Sequence, residues 1–483
     1  MKLKLLAAAC GLAFGSQAFA LTPAVTDAAS TVKIYLSGSS AQVRVIKAIA
    51  TTDCAAGTVD TLQLTSDAGN VFGISCTLSA TAGGGASGLG GKNVFLTYNA
   101  NGGSANGVYP IAKLIIPATN ALNVAQIAAL QRPQLSNVSG AGICASAGTV
   151  SGNPGTTYNC TATANQYSDA GVSDTEPSLF NVELNRPAAW SGQQITPAEF
   201  GKIDTATQFQ QIFGIAVSQN MYNDLQAMQV AAGMIPTGGT PSLSKSSVAS
   251  YLAGTFTDPS GDFGWQPLFA TSTLPLPTAA AGQVNICTRS AGSGTKAGAN
   301  SFFLSNPCGS SPLLPATAAQ SVPGSFVVNE GGSTGAVTTC LTAANTAGQY
   351  AIGIVGKENA LPTGSQWVAI DGVSPGKDNV KNGKYDWFVE QSMQWNPTYL
   401  SSFKTLPAGV TAAQLSNYLG SFRTRSGSPD IMATYSTTVQ DGVAAIYDGV
   451  NYIFNDPASA NNKAFVSRVT KLGNSCSVTQ WQL

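Results

Sequence analysis

The sequence of 483 residues contains no histidine. That absence removes Ser-His-Asp and Cys-His catalysis, histidine-ligated zinc and c-type haem attachment together. Charge is scarce too: Asp, Glu, Lys and Arg make up 10% of the chain, against about 25% in an ordinary soluble domain. Its 23 basic residues are matched by 23 acidic ones, so no basic excess exists for a nucleic acid to use. Beyond the N-terminus there is no apolar run of the roughly 18 residues that a spanning helix needs, so stable membrane insertion is not expected. No CxxC pair and no acidic cluster with metal-ligand spacing occurs, so neither a metal nor a cofactor is expected.

What is present begins with a leader. MKLKLLAAACGLAFGSQAFA (1–20) has a basic start at Lys2 and Lys4, an apolar centre and the small-residue site Ala18-Phe19-Ala20. It reads as a secretory signal cleaved after Ala20, which puts the mature chain in the periplasm or outside the cell. Losing Cys10 with the leader leaves an even cysteine set: Cys54, Cys76, Cys144, Cys160, Cys287, Cys308, Cys340 and Cys476. In an exported chain these imply disulfides. Spacing suggests local pairs, Cys54–Cys76, Cys144–Cys160 and Cys287–Cys308, leaving Cys340–Cys476.

Several segments repeat one form, an apolar strand followed by a Gly/Ser turn and a helix. TVKIYL (31–36) reads as a buried strand, SGSS follows, and Val43, Ile46, Ile49 and Ala50 fall at helical spacing. NVFLTY (93–98) runs into NANGGSANGV. Residues 243–252 read as a capped amphipathic helix, and 284–286 lead through CTRSAGSGTKAG into a helix over 299–304. Such alternation indicates an α/β fold. The Gly/Ser/Thr/Asn-rich stretch 135–168, with Cys144 and Cys160, reads as a stapled loop or insertion.

Four loops carry chemistry suited to an anion. Ser293, Gly294 and Thr295 at a helix start present unpaired N–H groups and two hydroxyls, where the helix dipole favours negative charge. Glycine lets the backbone approach an oxyanion closely, and Arg289 adds a charge-assisted, bidentate-capable donor. Ser39 and Ser40 have the same setting in SGSSAQ, and Ser104 offers a hydroxyl in NGGSANGV. Asp174, in AGVSDTEP, is useful beside an oxyanion only when that anion keeps a proton to donate, which favours phosphate over sulfate. Each turn taken singly also suits an ordinary helix cap.

In chain order the four loops resemble the phosphate-binding motifs of the periplasmic phosphate-binding protein of ABC transporters. Gly38-Ser39-Ser40-Ala41 is similar to its G-A-[TS]-F loop, and Gly103-Ser104-Ala105-Asn106-Gly107 to its G-S-S-G-G loop. Gly171-Val172-Ser173-Asp174 is similar to G-A-S-D, and Arg289 through Thr295 to R-x-D-G-S-G-T. Weaker echoes lie at 243–258, 329–337, 350–355 and 382–387. The resemblance implies a two-lobed type II periplasmic-binding-protein fold with a hinge and disulfide-bearing insertions. Lobe one would comprise 31–216 and 355–483, with an insertion at about 109–168, and lobe two 217–354. It also implies phosphate or a related oxyanion as ligand, bound by Ser39, Ser40, Ser104, Asp174, Arg289, Ser293, Gly294 and Thr295. A transporter membrane component is the implied partner. Two departures stand out: Ala291 replaces the aspartate that would hold Arg289, and Ala41 stands where an aromatic is common.

Other classes fit less well. Gly331-Gly332-Ser333-Thr334-Gly335 matches the G-x-S-x-G nucleophile elbow, but no histidine exists to activate Ser333. GGGASG (83–88) matches G-x-G-x-x-G without a βαβ setting. A chain that makes and breaks no bond is therefore expected. The alternative is a secreted structural or adhesive matrix protein that keeps the fold without tight ligand binding, which low charge and Gly/Ser/Thr richness suit.

Overall fold

Strands with apolar residues on both faces belong inside parallel sheets, and β1 (Val32–Gly38), almost wholly buried, is one. A computed structural model of the chain describes residues 21–81, 83–114, 122–255, 283–321, 326–454 and 456–482. The signal segment with Cys10 lies outside the described residues, as do residues 256–258 of the weaker echo at 243–258 and part of the expected insertion. From β1 the chain enters α1 (Val43–Thr52), which turns Val45, Ile46, Ile49 and Ala50 onto the sheet. Then come β2 (Asp60–Leu64), β3 (Val71–Thr77), β4 (Asn93–Asn99) and α2 (Ala105–Ala112). A hairpin of β5 (Cys144–Gly148) and β6 (Thr156–Cys160) leads on to β7 (Ala170–Ser173) and the long β8 (Asp204–Ser218).

The second half contributes β9 (Val284–Arg289), α3 (Gly294–Leu304), β10 (Phe326–Gly331) and α4 (Thr334–Thr346). It continues through β11 (Tyr350–Gly356), β12 (Ser365–Ile370) and β13 (Phe388–Trp395). One strand path runs β10-β9-β11-β8-β13-β7-β1-β4-β3-β2-β6-β5, with β12 also on β8. β1 is parallel to β4 and β7, and β9 is parallel to β10 and β11.

The two largest apolar cores among the described residues hang on this path, one per lobe. Val32, Ile34, Ile46 and Leu96 belong to the first, and Ile215, Ile286, Phe303 and Ile352 to the second. They divide along β8, where Phe209 joins the first and Ile212 the second, and along β13, between Val389 and Met393. The register explains the switch. Asp204 through Ile212 pair with β13, and Phe213 through Val217 pair with β11. The chain thus has the two-lobed α/β fold that the motifs implied.

The crossings differ from those expected. Val368, Ile370, Tyr385 and Trp387 pack in the second core, so the chain returns to the first lobe along β13 rather than near residue 355. The tail crosses again, with Val466 in the first core and Val469 in the second. Buried glutamines, Gln210, Gln211, Gln391 and Gln394, occupy the crossing strands.

Two disulfide pairs are as expected, Cys54–Cys76 and Cys144–Cys160. The other two are corrected to Cys287–Cys340 and Cys308–Cys476. Cys287 lies on β9 in one small apolar cluster with Val337 and Leu341 of α4, against which Cys340 packs. Cys308 follows α3 and meets the crossing tail, where Ser301 Oγ donates to the Ser475 carbonyl at 2.8 Å. The 135–168 stretch is likewise no plain loop. β6 pairs in parallel with β2, so the stapled β5–β6 hairpin extends the first lobe's sheet. Residues 109–112, placed in the insertion by sequence, close the buried helix α2.

Candidate functional site

Parallel strands point their carboxyl ends one way, and the loops leaving them form the natural ligand crevice where the strand path changes direction. Here the loops after β1, β4 and β7 of the first lobe meet those after β9 and β10 of the second. The turn after β1 is tight. Gly38 has φ of 137°, and a Cβ there would lie 1.9 Å from the Val172 carbonyl oxygen, so only glycine lets β1 and β7 stay this close where they pair. Ser39 follows as a cap, its Oγ accepting from the Ala41 N–H at 3.1 Å.

Asp174 lies at the centre. Ser39 Oγ donates to its Oδ1. Thr295 Oγ1, from the opposite lobe, donates to Oδ2 at 3.3 Å. The Asp174 N–H donates to Ser104 Oγ at 3.0 Å. Asp174 and Ser104 are buried, and Thr295 is 3% exposed. Tyr98 supports the Ser39 turn by donating its hydroxyl to the Ser39 carbonyl. Burial, and then the charge of Asp174, hold that phenol well above its usual value, so it stays a donor.

Arg289 ends β9 and reaches back across the junction. Its Nη1 donates to Ser40 Oγ at 3.2 Å and to Thr334 Oγ1 at 3.4 Å, and Nη2 donates to the Gly332 carbonyl at 3.1 Å. These partners are neutral oxygens, which answers the Ala291 departure: hydroxyls and a carbonyl, not an aspartate, orient the guanidinium. Its Nε is buried with no hydrogen-bond partner among the described residues. Burial lowers the guanidinium's pKa and Asp174 opposes that shift; an arginine nonetheless remains cationic at neutral pH. The site therefore holds a buried positive charge that neutral groups only partly satisfy.

Ser293 caps α3, its Oγ accepting from the Lys296 N–H at 3.3 Å. The Gly294 and Thr295 N–H groups lie in the first turn, where a helix offers no carbonyl of its own. Gly294 is pressed against the other lobe. A Cβ there would sit 2.5 Å from Ser104 Oγ and 2.6 Å from Asp174 Cβ. The Ala105 N–H donates to the Gly292 carbonyl at 2.9 Å in the same junction. Gly294→Ala is thus expected to wedge the lobes apart, enlarging the radius of gyration in small-angle scattering. An unchanged radius would show that the junction tolerates the methyl group.

The structure brings all eight sequence-derived residues to this junction. Sequence reading missed Gly332 and Thr334, because GGSTG was weighed as a catalytic elbow and as part of a weaker family echo, not as an anion loop. Its strand–turn–helix form, with Ser333 Oγ capping the Ala336 N–H at 3.2 Å, is the same signal the other loops carry. Also missed was Glu358, buried just after β11. It accepts from Gln211 Nε2 at 2.6 Å and from Asn359 Nδ2 at 2.5 Å. Burial first, and Asp174 after it, push its carboxyl up to about 8. Ala41 lies in the second lobe's core although it follows β1, so the expected aromatic position is a small interlobe contact.

No family model matches the sequence. No curated protein matches it either. Solved structures are similar in chain path. A protein from Clostridium perfringens described as a phosphate ABC transporter substrate-binding protein, with bound phosphate, has a TM-score of 0.40 and 12% identity, covering 83% of this chain and 96% of its own. PstS from Borrelia burgdorferi has a TM-score of 0.34 and 10% identity, covering 86% and 100%. An ABC-type phosphate transport receptor from Vibrio cholerae has a TM-score of 0.32 and 14% identity, covering 56% and 79%.

Proposed function

We propose that this chain is an exported solute-binding protein that takes up an oxyanion, phosphate first, between its two lobes and makes or breaks no bond. The observation that carries the reading is the meeting of Asp174 with Thr295 and of Arg289 with Ser40 across one junction. The arginine supplies charge. Ser39, Ser40, Ser104, Ser293 and Thr295 supply hydroxyls, and the first turn of α3 supplies N–H groups. Asp174 accepts a hydrogen bond from the proton that phosphate keeps and sulfate lacks. The lobes would be the two core territories, hinged along β8 and β13, with delivery to an ABC-transporter membrane component as the role in uptake.

Selectivity tests the reading. Equilibrium dialysis with labelled phosphate is expected to show one site that equimolar sulfate does not displace. Asp174→Asn should admit sulfate, narrowing the preference for phosphate at least about tenfold. Displacement of phosphate by sulfate from the wild type would remove Asp174's assigned role.

One observation favours the structural reading instead. The donors around Asp174 and Arg289 already pair with groups of the protein, as a locked scaffold would require. A locked scaffold would show no retention of phosphate in the same dialysis.

A further inference from the structure

A cavity of about 910 Å³ adjoins the anion junction, far larger than one phosphate needs. Ser40 and Thr334, the hydroxyls that receive Arg289 Nη1, also line it. An anion on Arg289 therefore lies one hydrogen bond from this second chamber. Its charged lining is Arg44, Lys47 and Glu358. Arg44 is exposed on α1, and its Nη1 donates to the Glu358 carbonyl at 3.1 Å. Lys47 lies one turn further along the same helix face. Glu358, with its carboxyl raised to about 8, does not repel anions at neutral pH.

The rest of the lining is rich in neutral hydrogen-bonding groups, among them Thr51, Gln63, Asn70, Ser333 and Ser436. Tyr435 also borders the chamber, and its hydroxyl is buried with no hydrogen-bond partner among the described residues. Donors and two cations without an opposing carboxylate suit a string of phosphoryl oxygens.

Resting on the oxyanion reading, we infer that the site takes short condensed phosphates. The terminal phosphoryl sits at Arg289 and Asp174, and the following ones extend into the chamber toward Arg44 and Lys47. Protonation distinguishes this class from phosphate monoesters. The last proton of pyrophosphate or tripolyphosphate leaves well above neutral pH, so these chains keep a hydrogen for Asp174. A monoester loses its last proton near pH 6, and then faces Asp174 as sulfate does.

The test is calorimetric titration of the full mature protein, in chelator-treated buffer of fixed salt, with phosphate, tripolyphosphate and glucose 6-phosphate. Tripolyphosphate is expected to bind at least about tenfold more tightly than phosphate, and glucose 6-phosphate more weakly than either. Arg44→Ser combined with Lys47→Ser should abolish the tripolyphosphate advantage and leave phosphate affinity within about twofold, which also certifies folding. Phosphate binding without a tripolyphosphate advantage overturns this inference alone. So does an advantage that survives the double substitution, or a monoester that equals tripolyphosphate. Absence of heat with all three overturns the oxyanion reading and this inference with it.

Discussion

Arg289→Met is expected to cost at least about a hundredfold in phosphate affinity while the free protein melts no lower than the wild type. The two effects separate because, on the proposed function, the guanidinium serves the ligand more than the fold. In the free protein it is 4% exposed, bonded to neutral oxygens, and its Nε has no hydrogen-bond partner among the described residues. Burying a charge on such terms is costly, and an apolar side chain of similar length relieves that cost. With an oxyanion bound, the same charge makes charge-assisted hydrogen bonds worth about 1.5–3 kcal/mol each, and a hundredfold in affinity corresponds to about 2.7 kcal/mol. Arg289→Lys should fail to restore binding fully, since a point charge lacks the planar fork. A large fall in melting temperature with affinity preserved would instead make Arg289 a structural residue.

Glu358→Gln is expected to stabilise the protein increasingly as pH rises. An unfolded glutamate ionises near its ordinary value of 4.5, whereas the buried carboxyl holds its proton up to about 8. Below the lower value both states are protonated and pH has no leverage. Between the two, the unfolded chain has released a proton that the folded one keeps, so wild-type stability falls by up to about 1.4 kcal/mol per pH unit. Above about 8 the loss is complete, on the order of 5 kcal/mol in total. Glutamine cannot ionise. Denaturant titrations at pH 4, 6 and 8.5 should show the variant's advantage growing across the series, whatever its offset at pH 4. An advantage that does not change with pH would mean that Glu358 is ionised in the folded protein at neutral pH.

Much of this site was legible because each element announces itself locally. β1, β4 and β9 are short apolar runs closed by Gly and Ser, and the helices after them start on serine caps such as Ser293. What sequence could not give was decided at long range. Cys287 is 53 residues from Cys340, and Cys308 is 168 residues from Cys476. Those pairs follow from a helix packed on a strand and from a tail crossing between lobes, neither of which spacing encodes. The lobe division was hidden because β8 keeps buried glutamines where a boundary would show as a change in composition. GGSTG was visible yet discounted, because an enzyme motif and an anion-loop motif share the same glycines and serine. Glu358 had no local signature; only the approach of β11 to β8 and Asp174 gives it a role.

Whether the junction between the lobes binds phosphate is decided by isothermal titration of the dialysed, disulfide-intact protein with phosphate at neutral pH. Saturable heat is expected at a stoichiometry of about one per chain, lost in Arg289→Met. No heat at millimolar phosphate from a folded sample would contradict it, leaving the convergent loops as a junction that holds two lobes together and nothing more.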